Sequence, residues 1–333
     1  MKPSAVSPEK LIEISGAYWQ SCALHAAVEL DVFTVLADEV LSAEALSSKL
    51  ETDVRGLSVL ANALCAMGLL TRNQDGYQNT KTARTLLSRD ASGYIGFIIL
   101  HHHHLVESWA HLDEAVQTGK PVRTRSSHGD AVQRESFLMG MFNIAMHTAP
   151  GIVSQIDLAG RKDLLDLGGG PGTYAIHFCL ANPDLLATVY DLPTTRPFAL
   201  KTIEGFGLSG RIGFEAGDFL NDPIPGAYDA AWLSQILHGE GPADCEKIVE
   251  KAVSVLRPGG MILIHEFILD DTLDGPLHSA LFSLNMLLAT DQGRSYSDRQ
   301  IRNMLVRCGI RGIQRMHLKG PSGILYGLDR KSV

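Results

Sequence analysis

The chain has no long apolar run, no closely spaced cysteines and no excess of basic charge, and each absence removes a class of protein. Its apolar stretches, such as residues 94–100 and 261–264, fall far short of the roughly 20 residues that cross a bilayer. The N-terminus lacks a basic segment followed by an apolar one, the pattern of a secretory signal. A cytoplasmic protein with no membrane partner is therefore expected. Cys22, Cys65, Cys179, Cys245 and Cys308 lie far apart without a C-x-x-C pair, so they read as reduced packing residues. With 29 Lys and Arg against 37 Asp and Glu, the formal charge of -8 argues against nucleic acid, whose phosphates require clustered basic side chains. A small-molecule ligand suits this charge better. At 333 residues and 45% hydrophobic, the chain is long enough for two domains, expected at residues 1–150 and 151–333.

What the chain does have is an apolar strand-like segment, Leu164-Leu165-Asp166-Leu167, that runs straight into Gly168-Gly169-Gly170-Pro171-Gly172-Thr173. Tyr174, Ile176, Phe178 and Leu180 then follow with the spacing of a helix. Glycines at 168, 170 and 172 allow positive φ and let a ligand sit against main-chain N–H groups at a helix N-terminus. A Walker phosphate loop needs Lys and Ser or Thr after its last glycine, and Thr173-Tyr174 stand there instead. A dinucleotide fingerprint has different glycine spacing, and an aspartate closing the strand repels pyrophosphate while suiting a cationic ligand. The next strand, at residues 186–190, ends at Asp191, placed to accept the hydroxyls of a ribose. From Gly160 onward strand and helix alternate, which predicts a mainly parallel sheet with its ligand at the carboxyl ends of the strands.

The N-terminal part is mostly helical. Leu11, Ile14, Tyr18, Cys22, Leu30 and Phe33 follow helical spacing, with a break near Asp31. Ser42 and Thr52-Asp53 open two further helices, Gly68 closes the second, and a hairpin turns at Asp75-Gly76. Helix, helix, hairpin is a winged-helix pattern. The second helix, residues 53–67, carries Arg55 as its one basic residue, so an apolar dimerisation module fits better than a DNA reader. Next comes the run His101-His102-His103-His104. On a helix His101 and His104 share a face, with His111 further along. Four consecutive histidines nevertheless point all round the helix, so no metal site is expected.

Two acidic strand ends flanking one glycine turn resemble the motif set of S-adenosylmethionine-dependent class I methyltransferases. The turn Leu256-Arg257-Pro258-Gly259-Gly260 belongs to the same set. The pattern Leu-x-Glu-Ser-Trp-x-x-Leu-x-x-Ala-Val at residues 105–116 extends the resemblance, over nearly the whole chain, to plant caffeate-type and bacterial small-molecule O-methyltransferases. The resemblance implies an α/β fold, a Rossmann-like seven-stranded sheet behind a winged-helix-like dimerisation domain, and hence a homodimer. It implies S-adenosylmethionine as cofactor, S-adenosylhomocysteine as product, and cofactor contacts at Asp166, Gly168, Gly170, Asp191, Leu192, Asp218, Phe219 and Ser234. His101, Phe142, Met146 and Met286 fall at acceptor-lining positions.

Transfer of a methyl group from a sulfonium to a hydroxyl needs a base that works near neutrality and a site free of water. His238, after the fourth strand, stands where the family carries its catalytic histidine, and Glu266, after the fifth, where it carries the orienting carboxylate. His265 is expected on the opposite face of that strand, in packing. Two positions depart from the pattern: Gly239 replaces an aspartate after the histidine, and Ser295 replaces a second carboxylate. The expected activity is methyl transfer to a hydroxyl of a small aromatic or polycyclic acceptor. The alternatives are an enzyme of the same fold that binds the cofactor for non-methylating chemistry, and a cofactor-responsive winged-helix regulator.

Overall fold

The computed structural model describes residues 6–329. Helices α1 (Pro8–Gly16), α2 (Tyr18–Glu29) and α3 (Val32–Leu36) open the chain. Asp31 makes the expected break, at φ 60, and a second break at Ala17 separates two helices that apolar spacing alone runs together. Polar caps start α4 (Ala43–Leu50) and α5 (Val54–Ala66): Ser42 Oγ accepts the Ala45 N–H at 3.2 Å, and Asp53 Oδ1 that of Gly56 at 2.8 Å. Gly68, at φ 74, ends α5 before β1 (Leu70–Arg72) pairs antiparallel with β2 (Tyr77–Asn79), and α6 (Lys81–Leu86) follows. Val28, Phe33, Leu36, Leu46, Leu64 and Tyr77 form the core here. In contrast, Leu11, Ile12, Ile14, Tyr18 and Trp19 on α1 and α2 are between 58% and 74% exposed.

Helices α7 (Gly96–Trp109), α8 (Leu112–Thr118) and α9 (Ala131–Val153) lead to the sheet. Packing divides the described chain into one unit of residues 6–106 with 135–143 and another of 107–134 with 144–329. The chain thus passes from unit to unit three times, and α9 continues unbroken through position 150. Ile144, on α9, is 45% exposed.

In the second unit β3 (Asp163–Leu167), α10 (Thr173–Ala181), β4 (Leu186–Asp191), α11 (Arg196–Gly205) and β5 (Ile212–Ala216) alternate as expected, and β5 passes to β6 (Tyr228–Ser234) without a helix between them. They continue through α12 (Pro242–Ser254), β7 (Leu256–Glu266), α13 (Leu277–Leu287), α14 (Asp298–Arg307), β8 (Arg311–His317) and β9 (Gly323–Leu328). The seven-stranded sheet runs β5-β4-β3-β6-β7-β9-β8, parallel through β7, with β9 and β8 antiparallel. Strand order reverses between β3 and β6, so a crevice opens at their carboxyl ends. Both faces are buried: Leu165, Leu233 and Ile264 pack in one cluster, and Leu164, Val189 and Trp232 in another. One element differs from expectation. Strand β7 starts at Leu256, pairs with Tyr228, and shifts register through Pro258-Gly259-Gly260 before Met261 meets Ala230. The glycine turn is therefore a bulge within the strand. No helix among the described residues is long and apolar enough to cross a membrane.

Candidate active site

The turn after β3 is shaped by what cannot fit around it. Gly168, Gly170 and Gly172 adopt φ of 65, 54 and 78. A Cβ on Gly168 would meet the Ile236 side chain at 2.6 Å, whereas one on Gly170 would meet nothing within 4 Å. Gly170 therefore faces open space, and the border of that space is acidic. Asp191 Oδ2 accepts the Gly170 N–H at 2.8 Å, and its Oδ1 accepts from Leu192 N at 2.7 Å and Thr195 Oγ1 at 3.0 Å. Burial raises the Asp191 carboxyl above its ordinary range, and these hydrogen bonds pull it back.

Asp166, expected as a cofactor contact, lies beneath the turn. It is 1% exposed, and its Oδ2 accepts the Ala175 N–H at 3.1 Å in the first turn of α10, whose N-cap Gly172 has no side chain to do so. Burial pushes its carboxyl up to about 7, opposed by the Ala175 N–H and reinforced by the neighbouring Asp191. Asp218 and Phe219 follow β5. The Asp218 carboxylate accepts from Leu220 N at 2.8 Å and Asn221 Nδ2 at 2.7 Å, and Phe219 Cε1 lies 3.4 Å from where a Gly168 Cβ would stand. Carboxylates, glycine N–H groups and a ring around open space fit a nucleoside with hydroxyls and a cationic sulfur; a phosphate would meet repulsion.

Across the crevice, His238 Nδ1 lies 2.8 Å from Glu266 Oε2. The other oxygen, Oε1, accepts the backbone N–H groups of Leu237 at 2.9 Å and His238 at 3.4 Å. One carboxylate thus fixes both the imidazole and the short turn that carries it. Glu266 is 2% exposed, so all its partners are protein groups held away from water. Phe282 stands edge-on to the His238 ring, centroids 4.7 Å apart, and Phe267 lies 4.7 Å from Phe282. Neither phenylalanine was picked out by motif, although Phe267 directly follows the acidic end of β7.

The two departures have structural form. Glu240, the residue after Gly239, pairs with Arg125, which also donates to the Gly239 carbonyl at 2.5 Å. Ser295 is buried with its Oγ lacking a hydrogen-bond partner, while its N–H reaches Ser283 Oγ at 3.1 Å. His265 sits on the opposite face of β7, its Nδ1 2.9 Å from Ser234 Oγ and its Nε2 2.9 Å from Ser322 Oγ. Met286 is buried on α13 and Met146 half-buried on α9, both in the second unit. His101 and Phe142 lie in the first, His101 buried with its ring 5.2 Å from that of Phe137. In the histidine run, His104 Nδ1 is 3.0 Å from Ser136 Oγ and His103 stands edge-on to His25. His111 lies beyond the end of α7. Among the described residues no three His, Cys, Asp or Glu side chains converge as a metal requires.

Comparison with known proteins follows the same lines. The O-methyltransferase domain model matches residues 109–311, and the O-methyltransferase dimerisation domain model residues 12–89. The 3-hydroxy-5-methyl-1-naphthoate 3-O-methyltransferase of Streptomyces sahachiroi is 31% identical, over 98% of this chain and 96% of that protein. The tetracenomycin polyketide synthesis 8-O-methyl transferase TcmO of Streptomyces glaucescens is 32% identical, over 96% of each. A solved structure, PigF with SAH, superposes at TM-score 0.87 with 25% identity, over 97% of this chain and 100% of that one.

Proposed function

Because this chain belongs to the O-methyltransferase family, with S-adenosylmethionine as its methyl donor, we propose that it methylates a hydroxyl of a small aromatic or polycyclic acceptor, with His238 as general base. The observation that carries the reading is the 2.8 Å contact between His238 Nδ1 and Glu266. With Glu266 ionised, Nδ1 carries the proton and donates it, so Nε2 on the far side of the ring bears the lone pair. That nitrogen takes the hydroxyl proton, and the imidazolium that forms is stabilised by the carboxylate behind it. S-adenosylmethionine, when bound, supplies a methyl group on a sulfonium sulfur and leaves as S-adenosylhomocysteine. Gly168, Gly170, Asp191, Leu192, Asp218, Phe219 and Ser234 would hold it, with Asp166 fixing the turn from below.

The aromatic class of acceptor is supported by Phe282 and Phe267 beside His238, and by relatives named for a hydroxynaphthoate and for tetracenomycin polyketide synthesis. Met146 and Met286, both in the second unit, complete the acceptor contacts in this reading. The exposed apolar side chains of α1 and α2, within the matched dimerisation domain, support a homodimer built there.

The test is radiolabelled methyl transfer to a panel of phenols and naphthols, with wild type and His238→Ala. Wild type labels at least one acceptor, and the variant loses on the order of 100-fold or more in kcat. Full activity in His238→Ala refutes the base assignment. Binding of S-adenosylhomocysteine in calorimetry, without label transfer to any acceptor, favours the second reading, cofactor binding with other chemistry, to which Gly239 and Ser295 lend support.

A further inference from the structure

We propose that Arg125 is a positioning residue for His238, acting through Glu240 and the turn between them; this rests on His238 being the base. The turn Leu237–Gly239 carries His238 and is anchored on one side by Glu266 Oε1, through the Leu237 and His238 N–H groups. Arg125 anchors the other side. Its guanidinium forks onto Glu240, Nη1 to Oε1 and Nη2 to Oε2 at 3.1 Å, and Nη2 also donates to the Gly239 carbonyl at 2.5 Å. The Glu240 side chain is only 7% exposed, so its charge depends on this partner. A Cβ on Gly239 would stand 3.7 Å from Arg125 Nη1, an ordinary contact, so the guanidinium lies directly against this residue. Tyr296 Oη donates to the Glu240 carbonyl at 2.5 Å, and Gly293 lies so close that a Cβ would meet the His238 carbonyl at 2.6 Å.

The segment that supplies Arg125 is itself tied to α13. The N–H groups of Val122 and Arg123 donate to the Leu288 carbonyl at 3.0 and 3.1 Å, and Arg123 Nη2 donates to Asn285 Oδ1 at 3.2 Å. Helix α13 carries Met286 and the Phe282 ring that meets His238. Residues 121–125 therefore strap the helix that flanks the acceptor to the turn that carries the base. Proton transfer depends on where Nε2 stands to within a fraction of an ångström, and that placement is what the strap sets.

The experiment measures kcat, KM for S-adenosylmethionine and S-adenosylhomocysteine affinity for Arg125→Gln and Arg125→Lys, each in the wild-type and the His238→Ala backgrounds. Arg125→Gln lowers kcat on the order of 10- to 100-fold with cofactor KM and product affinity unchanged. Arg125→Lys recovers part of the loss, because an ammonium pairs with Glu240 but cannot also span to the Gly239 carbonyl. In His238→Ala the same Arg125→Gln change moves the residual rate by less than about twofold, since the group it positions is gone. A purely structural role would lower both backgrounds by the same factor, and that result overturns the proposal. So does an unchanged kcat in folded Arg125→Gln. Should Arg125→Gln fail to fold, Glu240→Gln, which keeps a hydrogen-bond partner for the guanidinium and discards the charge, takes its place, and an unchanged kcat there is equally fatal. Full activity of His238→Ala removes the base reading and this proposal with it; loss in His238→Ala without loss in Arg125→Gln removes this proposal alone.

Discussion

Replacing Glu266 with glutamine changes almost no volume and one charge, and hydrogen-bond counting says what must follow. Glu266 now accepts three hydrogens: His238 Nδ1–H on Oε2, and the Leu237 and His238 N–H groups on Oε1. A glutamine has one accepting oxygen and one donating nitrogen. If the oxygen keeps the two backbone donors, the amide nitrogen faces Nδ1 and forces that atom to accept. The mobile proton then moves to Nε2, and the nitrogen proposed as base no longer has a free lone pair. The flipped amide would set two donors against two backbone donors in a site only 2% exposed, which is the costlier arrangement. Glu266→Gln therefore folds, binds S-adenosylhomocysteine as wild type does, and holds the inactive tautomer. The loss in kcat is on the order of 100- to 10,000-fold, about 3 to 5 kcal/mol of transition-state stabilisation. The pH profile carries a second mark. Without a base, the rate rises tenfold per pH unit as solvent ionises the acceptor, up to a phenol pKa of about 10. Methyl transfer at several pH values, with calorimetry of product binding as control, measures both. A Glu266→Gln enzyme within twofold of wild-type kcat, or one whose pH profile stays parallel to wild type, refutes the reasoning.

Two other expectations follow from burial. The Asp166 carboxyl is pushed up to about 7 from the ordinary 3.8, so the folded protein holds a proton that the unfolded chain has released; the stability this lends is complete below about pH 4 and lost as pH rises through about 7. Asp166→Asn keeps an acceptor for the Ala175 N–H but removes the slope, so its stability relative to wild type grows by up to roughly 4 kcal/mol between those limits, and parallel curves of Tm against pH would sink the claim. At the N-terminus, Ile12→Glu with Trp19→Glu places two charges on the exposed apolar side of α1 and α2 and shifts sedimentation from dimer to monomer; an unchanged mass means that the contact lies elsewhere.

Legibility in the sequence depended on how local each signal is. The caps at Ser42 and Asp53, the break at Asp31 and the stop at Gly68 were readable because each is decided within four residues of chain. The mainly parallel sheet was accessible through the alternation of strand and helix, though the order of its strands was not. The split between α1 and α2 at Ala17 was not readable, because the lone Gly16 before it reads equally well as an interior glycine of one continuous helix. Arg125 was invisible for a different reason. It lies 115 residues from Glu240 in a polar loop, and only the folded chain brings them together. Asp166 was seen as acidic and important, but a motif gives no depth, and burial beneath the turn made it a helix cap.

Strand β7 shows how two adjacent titratable residues receive opposite tasks from the pleat alone. His265 and Glu266 are neighbours in sequence, so they point to opposite faces. His265 enters the face that holds Trp232, stacking on its indole at 5.5 Å with both ring nitrogens turned to serines. Burial pushes it down to about 4, so near neutral pH it is an uncharged strut. Glu266 enters the face of Leu233 and Leu237 at the crevice, where the turn after β6 delivers His238. The imidazole held by the carboxylate is thus the one in the turn that follows β6, free to present its second nitrogen, while the imidazole within β7 has none to spare. A slip of one residue in the register of β7 against β6 would exchange these environments, aiming a histidine at His238 and burying an unpaired carboxylate against Trp232. The pairing of Ser234 with His265 therefore fixes which side chain of β7 meets His238.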